Sequence, residues 1–412
     1  MSCAAAPAAL HLGSSLRTQP AAATWANAAP LMAAFGVSRV TDITRMDSLG
    51  LPVYASVRPR GRALCVHAGK GLGADEARIG ALMEALEFAS AEPQRTPWAG
   101  RDLRIGDLLD DWDGAFTLAD LAPRIGVPAG ADRRLRAVRC DDVAGGAAAW
   151  LPAELVFLPF DEPHGPALFG WSSNGLASGN SLAEATLHGL LEVLERDALL
   201  MNLPKDRSCW VDLADYPAPF GLLCRRWRTL GVDLAVRQVP NDFGLPCFQA
   251  LLAQDSRDQT VDLAEGSGLH LDAGIAFARA VCEAAQSRLS CIHGGRDDLD
   301  GFYARLDAQG SARDVHQTLA YREAFDRRRR VRWTDVPTLP VDGDTVDTLL
   351  AQLLQRLRGL GFAKVLRHHF DVPELAAAGL QVVKITVPGC QEADEPLERA
   401  GRRLLALAAA HG

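Results

Sequence analysis

A segment near the middle of the chain constrains the fold most, because it places closely spaced glutamates on an otherwise apolar helix. Residues 172–197 read SSNGLASGNSLAEATLHGLLEVLERD. The glycines predict a loop, and Ser181 followed three residues later by Glu184 is the capping-box pattern that starts a helix. At about 100° per residue, a polar stripe roughly 80° wide is formed by Glu184, His188, Glu192 and Glu195. We therefore predict an apolar helix with one polar stripe.

The same helix design occurs three times in the chain. Shifting the sequence by 108 residues aligns the first copy with the second, and a further shift of 91 residues reaches the third. The equivalent residues are Gly80, Glu84 and Glu87; then His188, Glu192 and Glu195; then Arg279, Glu283 and Gln286. The predicted helices cover residues 75–89, 181–199 and 273–289. Because solenoid units recur at a constant, shorter period, a duplicated α/β unit whose helices converge on one cavity explains the pattern better.

Four glutamates in such a cavity indicate a metal site. A single Glu-x-x-Glu pair is ordinarily a solvated helix face, but its recurrence favours convergence. Carboxylates held close together repel unless a cation lies between them. Hard oxygen ligands select Mg²⁺, which usually completes its coordination with waters and phosphate oxygens. The sequence therefore predicts a Mg²⁺ and nucleotide site whose metal ligands are Glu84, Glu87, Glu192 and Glu195.

The three motifs resemble those of the YcaO family, ATP-dependent enzymes that activate the backbone amides of peptides. The motifs follow the family's order and spacing over residues 70–298, with looser similarity over 41–390. The resemblance implies an α+β fold of YcaO type, with repeated strand and helix units around a central nucleotide cavity, and ATP and Mg²⁺ as cofactors. The first helix departs from the family pattern Ser-x-x-x-Glu-x-x-Glu-Arg, because Gly80 replaces the serine and Phe88 the arginine. Nucleotide contacts at these two positions stay open.

The resemblance also assigns roles to individual residues. The catalytic residues it implies are Glu192, Glu195 and Arg196. The ATP contacts it implies are Lys70, Ser178, Asn180, Glu184, His188, Arg196, Gln286, Arg288 and Arg296. The residues alone leave alternatives: Lys70 in Gly-Lys-Gly also fits a solvated loop lysine, Glu184 also fits the capping box, and each arginine also fits a salt bridge to a motif glutamate.

The implied chemistry is phosphorylation of a peptide amide oxygen by ATP, followed by replacement of that oxygen. External sulfide gives a thioamide, and a neighbouring Cys, Ser or Thr side chain gives an azoline. We favour the thioamide, because residues 397–410 predict an Ala/Leu helix in place of the proline-rich tail of azoline-forming members. The chain also resembles members that are encoded with a TfuA partner.

Three other functions are weighed against thioamide formation. The first is an azoline-forming cyclodehydratase of a ribosomally synthesised peptide. The second is an accessory factor that supports methylthiolation of a ribosomal protein without modifying peptide itself. The third, a di-iron carboxylate bundle, fits paired glutamates but not the predicted strands or the lack of Glu-x-x-His.

Composition narrows the class of protein and its partners. A formal net charge of −8 gives no sign of a nucleic-acid-binding surface, and the nine cysteines show no zinc or disulfide spacing. No apolar run reaches the roughly 18 residues of a membrane span, so we expect a cytoplasmic, non-membrane protein. We expect a peptide or protein substrate and a separate partner, either TfuA-like or a leader-binding E1-like protein. A homodimer is left open.

The expected domain organisation is a main domain with a segment at each end. Residues 1–58 are expected to pack on a YcaO domain at 59–396, followed by a helical tail at 397–412. Further elements are predicted as strands at 36–44, 51–59, 63–67, 232–239, 246–253, 363–366 and 380–387, and as helices at 220–230, 305–332 and 345–360. His368 and His369 resemble a metal pair, but a third ligand at useful spacing is missing.

Overall fold

The fold was analysed in a computed structural model, which describes residues 8–93, 100–254, 263–296, 329–338, 345–392 and 398–411. The strands are β1 (Leu10–His11), β2 (Leu16–Arg17), β3 (Arg39–Asp42), β4 (Val53–Val57), β5 (Val66–Lys70), β6 (Arg101–Arg104), β7 (Arg134–Asp142), β8 (Ala149–Pro152), β9 (Leu176–Gly179), β10 (Cys209–Val211), β11 (Val232–Gln238), β12 (Cys247–Gln254), β13 (Leu263–Leu269), β14 (Arg330–Val331), β15 (Leu366–His369) and β16 (Gln381–Thr386). The α-helices are α1 (Ala21–Ala28), α2 (Ala74–Ala91), α3 (Ile105–Trp112), α4 (Leu182–Leu200), α5 (Phe220–Thr229), α6 (Ala273–His293), α7 (Val346–Gly359), α8 (Pro373–Ala377) and α9 (Arg402–His411).

The described strands form three sheets and one short hairpin. The first sheet has the order β3-β4-β5, and the second has the order β6-β7-β15-β16-β9 with β8 added to β7. The third sheet has the order β13-β12-β11-β10-β14, and β1 pairs with β2 in the hairpin. One strand of each sheet leads directly into a motif helix: β5 into α2, β9 into α4, and β13 into α6. The repeat in the sequence is therefore a repeated strand and helix unit.

Strand and helix approach unusually closely in these units because glycines face the helix. A Cβ built on Gly69 would lie 2.1 Å from the carbonyl oxygen of Ala77, and one on Gly268 would lie 2.1 Å from that of Ala276. Any larger residue would push the helix away from its sheet. The predicted glycine loops are therefore largely wrong: Lys70 and Ser178 lie on β5 and β9, where glycine serves close packing. The first of these strands runs over Val66–Lys70, later than the predicted 63–67.

Each motif helix buries its outer face in a separate apolar core. Residues of α2 pack with Phe157, those of α4 with Leu353, and those of α6 with Phe248. Each fully buried leucine or phenylalanine on these faces contributes roughly 1.5–3 kcal/mol. With their apolar sides occupied in this way, the helices present their polar stripes to one another.

The α+β fold and the three motif helices are confirmed. The observed helices α5 and α7 also match the predictions at 220–230 and 345–360 within one residue at each end. The charged helix predicted at 305–332 lies almost wholly outside the described residues, and residues 330–331 form β14. The predicted domain limits stay a prediction; the one at 58 lies between β4 and β5, which pair with each other. Within the described residues, no helix combines the length and apolar character needed to cross a membrane.

Candidate active site

A cavity of about 390 Å³ lies where the three motif helices meet. The nine equivalent positions of the repeat all line it: Gly80, Glu84, Glu87, His188, Glu192, Glu195, Arg279, Glu283 and Gln286. The other walls include Lys70, Ser178, Asn180, Glu184, Arg196 and Arg296, together with residues of the N-terminal segment. The structure thus brings together every residue that the sequence assigned to the site except Arg288.

The third equivalent position of each repeat (Glu87, Glu195 or Gln286) is hydrogen-bonded to a strand residue of another unit. These three hydrogen bonds join the units in a ring. Ser178 of β9 donates its hydroxyl to Glu87 of α2 at 2.5 Å. Ser267 of β13 donates likewise to Glu195 of α4 at 2.5 Å. The side-chain amide of Gln286 of α6 donates to the carbonyl oxygen of Ala68 of β5 at 3.1 Å. The shared register of the repeat therefore has a structural basis.

Three of the carboxylates are half-buried and form no ion pair with any lysine or arginine among the described residues. Glu84 accepts the backbone N–H of Ala68 at 2.8 Å, and Glu192 accepts that of Gly175 at 3.3 Å. Burial raises the pKa of Glu84 and of Glu192 above the ordinary value. Burial, with further repulsion from Glu84 and Glu192, raises the pKa of Glu87 to about 8. The positive charges of Lys70 and Arg196 act on these carboxylates from a distance, but they do not outweigh the effect of burial on the pKa.

Glu195 and Glu283 are held differently, because protein groups already satisfy them. Both oxygens of Glu195 are engaged, one by Ser267 and the other by the N–H of Leu269 at 2.9 Å. The ammonium of Lys70 lies 2.5 Å from the carboxylate of Glu283, and Arg196 lies 3.9 Å from it. Although burial opposes ionisation, these two cations lower the pKa of Glu283 below its ordinary value. Lys70 is thus partnered by a glutamate that the sequence analysis left out of the site.

The donor set fits Mg²⁺, although the side chains are not yet gathered around one point. Among the described residues, no three His, Cys, Asp or Glu side chains are already arranged as metal ligands. The three uncompensated carboxylates are nevertheless the hard, charged oxygen donors that Mg²⁺ prefers. The buried side-chain oxygen of Gln286 has no hydrogen-bond partner among the residues that the structure describes, and it adds a further acceptor. A divalent cation would relieve the cost of burying these groups.

His188 and Arg279 also line the cavity and contribute one neutral and one cationic group, respectively. The Nη1 atom of Arg279 lies 3.5 Å from Nε2 of His188. Burial, with the nearby charges of Arg17 and Arg279, lowers the pKa of His188 well below its usual value, so the imidazole is neutral. The buried Nδ1 of His188 and Nε of Arg279 have no hydrogen-bond partner in the described part of the chain. These nitrogens are positioned to meet a polar ligand.

The N-terminal segment closes one side of the cavity, which the sequence analysis missed. Glu184 accepts hydrogen bonds from the backbone N–H of Thr18 at 2.9 Å and from its hydroxyl at 2.5 Å. Arg17 pairs with the same carboxylate at 3.3 Å. Ser181 caps α4 by accepting the N–H of Glu184, but the carboxylate bonds to the N-terminal segment instead of completing the capping box. The weak, alanine-rich pattern of this segment gave no signal of these contacts.

Arg288 is a correction to the predicted nucleotide contacts. Its guanidinium pairs with the carboxylate of Asp47 at 3.0 Å and donates to Gln254 at 2.6 Å. Both charged side chains are buried, and neither lines the cavity. The helix turns Arg288 away from the polar stripe, because it lies two residues beyond Gln286. This ion pair links α6 to the connection between β3 and β4, where Asp47 lies.

Among the described residues, no third His, Cys, Asp or Glu joins the histidine pair on β15 in a metal-ligand arrangement. His368 packs edge-on against Phe157 and Phe370, with ring centroids 5.4 and 4.9 Å apart. Its Nδ1 lies 3.4 Å from the carbonyl oxygen of Arg139. The aromatic contacts explain why this histidine is on the strand.

The fold and the cavity together define an α+β protein whose three equivalent helices surround a site fitted to a divalent cation and a polyanion. The chain belongs to the YcaO family. The sequence model of this family, described as YcaO cyclodehydratase, ATP- and Mg²⁺-binding, matches residues 68–391. ATP and Mg²⁺ are accordingly the cofactors of this protein.

Relatives share most of the chain. An uncharacterised protein of Methanothermobacter thermautotrophicus is 33% identical over 390 residues, which cover 90% of this chain and 93% of the relative. A protein of Rhizobium leguminosarum bv. trifolii, described as lying in the tfuA 3′ region, is 32% identical over 390 residues, covering 90% and 87% of the two chains.

Solved structures show the same fold. YcaO from Methanopyrus kandleri, bound with AMPPCP and Mg²⁺, superposes with a TM-score of 0.73 at 22% identity, covering 95% of this chain and 97% of that one. A heterocyclase in complex with substrate and cofactor superposes with a TM-score of 0.71 at 22% identity. That match covers 91% of this chain and 53% of the heterocyclase, so the present chain spans about half its length.

Proposed function

We propose that this protein uses Mg²⁺ and ATP to phosphorylate a backbone amide of a peptide, and that the product is a thioamide. Sulfide adds to the amide carbon, the amide oxygen takes the terminal phosphoryl group of ATP, and phosphate then leaves with that oxygen. The amide, hydrogen sulfide and ATP are thus converted into thioamide, ADP and phosphate. The observation that carries the Mg²⁺ and ATP part of the proposal is the set of half-buried carboxylates with raised pKa values in a cavity that is also lined by cations.

The residues of the cavity divide into two groups by charge. Glu84, Glu87 and Glu192 would hold Mg²⁺, because burial leaves them in need of a cation. Glu195, the fourth predicted ligand, would bind Mg²⁺ through a lone pair left on an oxygen that already accepts one protein hydrogen bond. The protein supplies position and charge neutralisation, since phosphoryl transfer needs little covalent help.

The cationic group would bind phosphate oxygens. Arg196 lines the cavity with its side chain 42% exposed, so its guanidinium is accessible to a ligand. Arg279 also lines the cavity, and its buried Nε has no hydrogen-bond partner within the described ranges. Lys70 pairs with Glu283, and the remaining N–H donors of its ammonium would contact phosphate as well. We therefore add Arg279 to the predicted ATP contacts and place Asn180, Ser178, His188, Gln286 and Arg296 with it as proposals.

Thioamide formation is preferred over azoline formation because of one relative. The Rhizobium protein in the tfuA 3′ region is 32% identical to this chain over nearly the whole length of both. This supports a TfuA-like partner for the present chain as well. The heterocyclase and the E. coli microcin synthetase McbBCD complex, which matches with a TM-score of 0.59 at 13% identity, share the fold alone. A leader-binding E1-like partner is the alternative that goes with azoline formation.

Mass spectrometry of a candidate peptide co-expressed with this protein and a TfuA-like protein tests the proposal. Exchange of oxygen for sulfur raises the peptide mass, whereas azoline formation lowers it by one water. The Glu192→Gln variant should abolish the change, and Glu374→Gln, which alters an exposed glutamate on α8, should not. Loss of water would refute the thioamide in favour of the azoline. ATP hydrolysis that never depends on peptide would favour an accessory role instead.

A further inference from the structure

A buried lysine lies behind the cavity, outside every motif discussed so far. Lys384 is on β16 with 4% of its surface exposed. Its ammonium donates to the carbonyl oxygen of Ser172 at 2.5 Å. Burial lowers its pKa to about 8, although the charges of Glu392 and Glu192 oppose that shift. A lysine buried at this cost needs a reason beyond packing.

The loop that Lys384 holds is wedged between a strand and a motif helix. Gly175, with φ of +78°, lies between Ile385 of β16 and Val193 of α4. A Cβ at this position would lie 2.4 Å from the carbonyl oxygen of Ile385 and 2.8 Å from Cγ2 of Val193. The N–H of Ile385 donates to the carbonyl oxygen of Gly175 at 2.9 Å. The loop at 172–175 therefore has little freedom to shift while Ser172 is held.

The same loop reaches the cavity. The backbone N–H of Gly175 donates to Oε1 of Glu192 at 3.3 Å, and Ser173 lines the cavity wall. Displacement of the loop would remove this hydrogen bond, which orients the Glu192 carboxylate. Lys384 therefore contacts Ser172 in the same loop whose Gly175 N–H binds Glu192, a proposed metal ligand.

Ser172 is also held from the segment that follows β16. Its hydroxyl is hydrogen-bonded to Glu392, and Glu392 pairs with Arg399 at 3.2 Å. Arg399 is 1% exposed and donates to the carbonyl oxygens of Leu121 and Ala122. Lys384 and Glu392 therefore fix Ser172 from two directions.

We propose that Lys384 is a positioning residue that, with Glu392, clamps Ser172 and so fixes Glu192 for Mg²⁺ binding. The inference rests on the proposed function. The positioning role of Lys384 and its positive charge should affect the Mg²⁺ affinity in opposite directions. An ammonium near a metal ligand repels the metal, so removing its charge alone would tighten Mg²⁺ binding. Releasing the loop would weaken Mg²⁺ binding, because the carboxylate loses its orientation.

Calorimetric titration of Mg²⁺ into the protein with a non-hydrolysable ATP analogue tests this sign. We expect Lys384→Met to weaken the Mg²⁺ affinity about 10–100-fold, the range found for residues that orient metal ligands. Lys364→Met is the matched control, because Lys364 also donates to a loop carbonyl, that of Ala147 at 2.9 Å, and pairs with Asp142 at 3.0 Å. Neither contact of Lys364 borders the cavity. This control should bind Mg²⁺ as the wild type does.

Ser172→Ala supplies the second arm, because it loosens the loop without changing any charge. It should weaken Mg²⁺ binding in the same direction as Lys384→Met. The double variant should be weakened by less than the product of the two separate effects, since both act on one loop. If Lys384→Met fails to fold by thermal melting, Ser172→Ala alone decides, and an unchanged Mg²⁺ affinity overturns the inference.

The outcomes distinguish a failure of the proposed function from a failure of the positioning role of Lys384. Wild-type protein that binds no Mg²⁺ with nucleotide refutes the proposed function and this inference with it. Wild-type protein that binds both, beside a Lys384→Met variant that binds Mg²⁺ equally or more tightly, refutes the positioning role alone. Independent, multiplicative effects of the two substitutions also overturn it.

Discussion

Replacing Glu87 by glutamine should stabilise the protein when Mg²⁺ is absent and should reduce the stabilisation that Mg²⁺ and ATP provide. Glu87 accepts the hydroxyl of Ser178, and a glutamine oxygen can keep that bond. The substitution preserves volume and helix propensity, so its effect is mainly that of the lost charge. The two signs differ because the carboxylate is a burden without a cation and a ligand with one.

The magnitude follows from the pKa. Burial raises the pKa of Glu87 from 4.5 to about 8 in the folded state. Above pH 4.5 the unfolded chain ionises this group while the folded protein keeps its proton, so the destabilisation grows with pH until the folded pKa is passed. At pH 7 this costs at most about 3 kcal/mol, and because the side chain is partly exposed to the cavity, we expect roughly 1–3 kcal/mol.

Urea unfolding in EDTA between pH 5 and pH 8 measures the difference. The advantage of Glu87→Gln should rise across this range, and Glu374→Gln should show none. Adding Mg²⁺ and a non-hydrolysable ATP analogue at about 100 times Kd should stabilise wild type by ~2.7 kcal/mol and the variant by less. A variant that is less stable than wild type in EDTA would show that Glu87 is ionised and paired, and the reasoning would be refuted.

Three further predictions concern groups around the cavity. Arg288→Met should lower the free energy of unfolding by about 3–5 kcal/mol, because it leaves Asp47 charged and buried, yet nucleotide affinity of the folded variant should not change; weaker binding would return Arg288 to the site. Glu184→Gln should loosen the N-terminal segment, seen as faster tryptic cleavage after Arg17, whereas an unchanged rate would show that Thr18 alone holds it. Burial lowers the pKa of His67 to about 3, so the free energy of unfolding should fall as the pH drops below 6.5. In urea unfolding at pH 5, His67→Leu should remove about 2 kcal/mol of that loss. An equal dependence of the free energy of unfolding on pH in both proteins would contradict this prediction.

The sequence by itself determined the helices and their shared register. Apolar residues that recur at helical spacing identify a helix whose apolar faces are buried in the core. The polar residues on the remaining face can then be identified from their spacing in the sequence. Equivalent positions in three such helices had to face alike if the units were related. Glu84, Glu192 and Glu283 all line the cavity for that reason.

The tertiary structure alone decided which of these residues already have partners. Lys70 and Glu283 are 213 positions apart, and Thr18 and Glu184 are 166 apart, so no local pattern records their contacts. The same holds for Arg288, because the residues around it in α6 do not predict its ion pair with Asp47. Spacing along a helix sets the direction of a side chain, but a charge's partner depends on which distant segment packs opposite, and that is settled only when the separate apolar cores bring the three units together.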